Sequence, residues 1–190
     1  AFTAWLVPFA AADERPSDER PIVALDVGHS LKRPGATSAR GLPEFVFNQA
    51  LAAPVADALR AQGYVPRLIG VDGNMNDLRG RTSQAQGAAF FLSIHHDSVQ
   101  PHYLDRWMVD GVRRAYSDRF SGFSLFVSRA NPDPKQSLDC AVAIGAQMRQ
   151  AGFTPSLHHA EPISGENRPL ADPENGVYFF DDLVVLKTAA

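Results

Sequence analysis

Two continuous apolar runs, each stopping directly before a histidine, constrain this chain more than any other feature. Ile22-Val23-Ala24-Leu25-Asp26-Val27-Gly28 leads to His29, and Ala88-Ala89-Phe90-Phe91-Leu92-Ser93-Ile94 leads to His95. Runs that are apolar at successive rather than alternate positions read as strands covered on both faces, the environment of a parallel sheet. Parallel strands need a crossover between them, and the intervening sequence supplies one. Pro43 suits the first helical turn, where its missing N–H costs nothing. Phe45, Val46, Leu51, Val55, Ala58 and Leu59 then form an apolar face that stops at Gly63. Pro54 falls inside this pattern and is expected to kink or split the helix.

The same reading continues along the chain. Residues 64–69 form a second strand, and Asp77 caps a helix running to about Gln86. Residues 100–119 look like an insertion, partly helical, carrying Tyr103, Trp107 and Tyr116. Residues 123–128 alternate as a further strand, and residues 137–151 read as a helix ended by Gly152. The remainder is mostly loop, with short apolar runs at 177–180 and 183–186. Strands alternating with helices give an α/β fold: a single domain, with a largely parallel twisted sheet flanked by helices on both faces. In such sheets ligands bind at the carboxyl ends of the strands, which is where His29 and His95 fall.

Composition excludes some partners. With 190 residues and a net charge of −3, the chain has a full core and no electrostatic case for nucleic acid or an acidic membrane. No apolar run is long enough for a transmembrane segment. The single cysteine, Cys140, rules out an internal disulfide and reads as a small core residue. Residues 1–21 read as a signal-peptide remnant and linker: apolar residues 1–9, then Ala10-Ala11-Ala12, then a charged stretch with Pro16. That pattern places the protein in the periplasm or outside a bacterial cell.

Two imidazoles and the carboxylate of Glu44, which opens the first helix, make a zinc site with a fourth position open to water. Zinc in such a site lowers the pKa of bound water to about 7, which points to a metal-dependent hydrolase. In His95-His96, strand neighbours face opposite sides, so one of the pair faces the metal, and His95 directly follows the buried run. Asp97 has two readings, orienting a ligand from outside the metal shell or capping its own loop.

Three ordered blocks resemble the zinc-dependent N-acetylmuramoyl-L-alanine amidases of the Amidase_3 type. They are residues 22–29 followed by Pro34-Gly35-Ala36, then Glu44-Phe45-Val46-Phe47-Asn48, then Arg81, Ala85 and Phe91-Leu92-Ser93-Ile94-His95-His96-Asp97-Ser98. Gly122-Phe123-Ser124-Leu125-Phe126-Val127-Ser128 is similar to the family's next strand. The resemblance implies that His29, Glu44 and His95 bind Zn2+, and that residues 22–190 are an amidase-like catalytic domain acting on peptidoglycan. The scissile bond would be the amide between N-acetylmuramic acid and L-alanine, and an activator protein is a possible further partner. The family's general-base glutamate is expected beyond Ala190, as though the domain were truncated there. Glu161, Glu166 and Glu174 lie in loops and are not assigned that role. The loops at 99–121 and 154–176 are longer than in typical members. Two alternatives stay open: a catalytically inactive zinc- or peptidoglycan-binding module on the same fold, and a carboxypeptidase-like zinc hydrolase.

Overall fold

The computed structural model describes residues 20–188. The signal-peptide reading of the N-terminus falls on residues outside that range, apart from the last two of the linker. Strand β1 (Ile22–Val27) lies between β2 (Val65–Ile69) and β3 (Phe90–Ile94), parallel to both. Leu25 sits opposite Leu68 on one side and Leu92 on the other. Side chains alternate across the strand, and both faces of β1 are buried. Leu25 and Val27 pack with Ile94 against Phe45, Ala52 and Ala56 of helix α1 (Glu44–Ala61). Ala24 packs on the other face with Ile69 and with Ala85, at the end of helix α2 (Leu78–Gln84). Each large apolar side chain buried this way is worth roughly 1.5–3 kcal/mol. The successive apolar residues of β1 are therefore explained by cover on both sides.

Helix α1 corrects half of one expectation: it is not split at Pro54 but continues past it to Ala61. Pro54 and Ala50 both lie on the exposed face, so the carbonyl that loses its intrahelical donor is open to water. The buried face, Phe45, Asn48, Ala52 and Ala56, is untouched by the proline and keeps the helix on the sheet. Helix α2 starts as expected, with the Asp77 carboxylate accepting the N–H groups of Arg79 and Gly80.

The 100–119 segment is not helical beyond one 3-10 turn at Pro101–Tyr103. It is a β-hairpin, β4 (Asp105–Val109) and β5 (Val112–Tyr116), antiparallel and, among the described residues, paired only with itself. Its two-residue turn is Asp110-Gly111, both at positive φ (50° and 74°). Asp-Gly at these angles matches the twist of a tight hairpin. The hairpin docks on the loop before α1: Trp107 Nε1 donates to the Ala39 carbonyl at 2.9 Å, and the Arg40 guanidinium lies 5.5 Å from the Trp107 ring centroid.

A second three-stranded sheet completes the chain, in the order β6 (Leu125–Val127), β8 (Val177–Phe179), β7 (Leu170–Asp172). Strand β6 is parallel to β8, and β7 is antiparallel to it. Helix α3 (Pro134–Gln150) covers this sheet through Leu138, Ala141 and Val142, and Cys140 on that helix is half-buried. The parallel pairing is thus divided between two sheets. A short helix, α4 (Val184–Thr188), packs back on α2, with a hydrogen bond between Thr188 and Thr82.

Candidate metal centre

The site is built where β1 ends. Gly28 N–H donates to the Ile94 carbonyl at 3.0 Å, which keeps the two strand ends side by side. The next residue, His29, turns into the left-handed region (φ 69°), an uncommon conformation for a residue with a side chain. Arg81 of α2 holds that turn. It is 3% exposed, and it donates to the Asp26 carboxylate (2.6 Å), the Val27 carbonyl (2.6 Å), the Met75 carbonyl (2.7 Å) and the His29 carbonyl. Ser93 Oγ donates to the other Asp26 oxygen at 2.7 Å. One guanidinium therefore satisfies a buried carboxylate and three carbonyls around the strand end.

Helix α1 brings Glu44 and, one turn later, Asn48. The Glu44 side chain is 3% exposed, and both its oxygens are committed. Oε2 lies 3.0 Å from His29 Nε2 and accepts the Ala36 N–H. Oε1 lies 3.0 Å from His95 Nδ1 and accepts the His96 N–H. The imidazoles meet edge to face, with ring centroids 4.9 Å apart. Asn48 Nδ2 donates to the Gly28 carbonyl at 3.0 Å, and its Oδ1 accepts from His96 Nδ1 at 2.8 Å. His96 is thereby turned onto α1 while the His95 side chain reaches Glu44.

Two glycines make the cluster possible. A Cβ on Gly28 would sit 2.4 Å from His95 Nε2, and one on Gly35 would sit 2.5 Å from Glu44 Oε2. Gly35 also has a φ of +81°, which disfavours any side chain there. One ligand atom from each of His29, Glu44 and His95 lies within 4.8 Å of the others. The carboxylate is buried while the His29 and His95 side chains are 31% and 46% exposed, so the cluster opens to solvent on the imidazole side. Two imidazoles, one carboxylate and one open side match the donor set of a hydrolytic zinc.

Burial pushes the Glu44 carboxyl upward, but hydrogen bonds from His29, His95, Ala36 and His96 outweigh it and hold the group well below the usual carboxylate range. The bond to Glu44 raises His29 above its ordinary 6.5, against the opposing effect of burial. The signs of the two linkages differ. Glu44 contributes stability above pH 4.5 that is lost as pH falls, and His29 contributes stability below pH 6.5 that is lost as pH rises through its raised value. Metal-free protein is therefore expected to melt highest in the mildly acidic range and to lose stability on either side. Melting temperature against pH in chelator measures this, and Glu44→Gln should flatten the profile.

The other sequence candidates lie elsewhere. Asp97 is exposed and accepts from the Ser98 N–H at 2.7 Å, so it caps its own loop. Tyr103 donates to Glu161, Glu174 pairs with Arg149 on the surface, and Glu166 is buried against His159, Arg168 and Gln100. A second group, His158, His159 and Glu166, also brings three ligand atoms within 4.8 Å of one another. Sequence reading did not bring these three together. His158 and His159 lie in a 3-10 turn rather than after an apolar run, so nothing in their neighbourhood marks them.

Residues 23–171 match the protein family described as N-acetylmuramoyl-L-alanine amidase. No curated protein sequence matches the chain. Among solved structures, the N-acetylmuramyl-L-alanine amidase Ami1 from Mycobacterium smegmatis superposes with a TM-score of 0.63 at 18% identity, over 89% of this chain and 77% of that one. The N-acetylmuramoyl-L-alanine amidase from Clostridium difficile 630 gives 0.62 at 15% identity, over 90% and 75%. The CwlD amidase from Clostridioides difficile, solved in complex with the GerS lipoprotein, gives 0.55 at 16% identity, over 88% and 76%. At these identities the structures establish a shared fold.

Proposed function

Because the chain belongs to the N-acetylmuramoyl-L-alanine amidase family, we propose that it is a zinc-dependent peptidoglycan hydrolase using His29, Glu44 and His95 as metal ligands. It cleaves the amide between the lactyl group of N-acetylmuramic acid and the L-alanine of the stem peptide. The observation that carries this reading is the meeting of the three side chains, 15 and 51 residues apart in order, around one point at the strand ends. Zinc held there supplies a Lewis acid for the amide carbonyl and lowers the pKa of water to about 7.

The protein's own residues divide the remaining work. Glu44 balances charge and orients both imidazoles, and its depressed pKa makes it a poor proton acceptor at neutral pH. A carboxylate other than Glu44 would take the proton from the attacking water. Asn48 and Arg81 fix the ligands from behind. Among the described residues no helix is long and apolar enough to cross a membrane. We place the enzyme where its substrate is, in the periplasm or outside the cell. By analogy with CwlD and its lipoprotein, we also propose a protein activator as a partner.

Zinc-loaded full-length protein incubated with purified cell walls is expected to release stem peptides bearing a free L-alanine amino group. Chelation or His29→Ala should reduce release to background. Intact muropeptides after exposure to zinc-loaded protein would favour a binding module. Shortened peptides still attached to the sugar would instead favour a carboxypeptidase. Either result overturns the assignment.

A further inference from the structure

The His158–His159–Glu166 cluster shares no residue with the group at the β1 strand end. His159 is 4% exposed and its Nδ1 lies 2.9 Å from Glu166 Oε2. Neighbouring donors at a tetrahedral zinc, with bonds of about 2.1 Å, sit roughly 3.4 Å apart, so this spacing needs an adjustment of about half an ångström. The carboxylate is oriented from outside: Gln100 Nε2 donates to Glu166 Oε1 at 2.8 Å, and Arg168 donates to Oε2. Metal-ligating carboxylates are commonly braced in this way by outer hydrogen bonds.

His158 supplies the third donor. Its ring centroid is 3.9 Å from that of His159, and it stacks on Phe120 at 4.8 Å. Its Nδ1 is engaged by Ser156 Oγ at 2.9 Å, whereas its Nε2 is buried with no hydrogen-bond partner. A buried imidazole nitrogen without a partner is costly. That nitrogen can present its lone pair to a metal ion. The carboxylates of Glu166, Asp97 and Glu161 also face His158 and favour a cation nearby.

We propose that His158, His159 and Glu166 form a second transition-metal site, separate from the one at His29, Glu44 and His95. Two imidazoles and a carboxylate select a zinc-class ion over calcium or magnesium. The ion ties the 158–168 loop, through Gln100, to the segment that follows β3.

Metal content of full-length protein, measured by elemental analysis after zinc loading and gel filtration, tests the site directly. Two equivalents per chain are expected, falling to one in His158→Ala and to one in His29→Ala, with none in the double variant. Cobalt(II) should give a tetrahedral visible spectrum whose intensity drops by about half in each single variant. His158→Gln, closer in volume, guards against misfolding, and circular dichroism reports whether each variant is folded. One equivalent in the parent that His29→Ala removes and His158→Gln retains would overturn the second site. One equivalent with the opposite pattern would support it and count against the first.

Discussion

Glu44→Ala is expected to lower zinc affinity by well over a hundredfold and to destabilise the metal-free protein by about 2–4 kcal/mol. The first effect follows from its place in the cluster. Changing a group that merely supports a metal ligand typically costs ten- to a hundredfold, and in the proposed site Glu44 would be both a ligand and, by its contacts, the support of His29 and His95. The second effect comes from the N–H groups of Ala36 and His96, which lose their acceptor. A buried donor left unsatisfied costs about 1–3 kcal/mol. Glu44→Gln separates the two effects. Its amide oxygen keeps one acceptor, so stability should recover in part while zinc binding does not. Denaturant unfolding in chelator and competition with a chromophoric zinc chelator measure the two quantities. A Glu44→Ala protein that held zinc as tightly as the parent would remove Glu44 from the ligand set.

Arg81→Met is expected to cost about 3–5 kcal/mol, the usual consequence of stranding one partner of a buried ion pair. Arg81 and Asp26 have side chains 3% and 2% exposed, so solvent screening gives little relief. Three carbonyls also lose a donor, among them that of His29. Without that tether the left-handed turn at His29 is no longer enforced, and zinc affinity should fall ten- to a hundredfold although Arg81 touches no ligand side chain. Lysine, a single point charge, cannot span the same acceptors and should rescue only part of the loss. Adding Asp26→Asn to Arg81→Met should recover stability, because the stranded charge is gone, but should not recover zinc affinity. Recovery of both would show that the arginine serves the pair and not the turn.

The parts of this molecule that were legible in the sequence are those governed by burial. The runs ending at His29 and His95 announce strands because both faces of β1 and the inner positions of β3 are covered, and the Asp77 cap announces α2 because a side-chain oxygen there has one obvious use. What escaped was governed by exceptions and by distance. Pro54 looked like a break, yet it falls on the one helical face where a lost hydrogen bond is open to water. Asp110-Gly111 is a strong hairpin signal, but the charged, weakly alternating strands beside it hid the turn. The joint roles of Asn48 and Arg81 need three dimensions to see: Asn48 joins Gly28 to His96, and Arg81 joins Asp26 to His29. Nothing in linear order connects Glu166 with His159 and Gln100.

Among the described residues the hairpin of β4 and β5 pairs with no other strand, and it meets the loop before α1 through Trp107 on Arg40 and Ala39 and through Arg114 on Gly41. The register of β1 against β2 and β3, which sets the two histidines side by side, therefore does not depend on this hairpin's pairing.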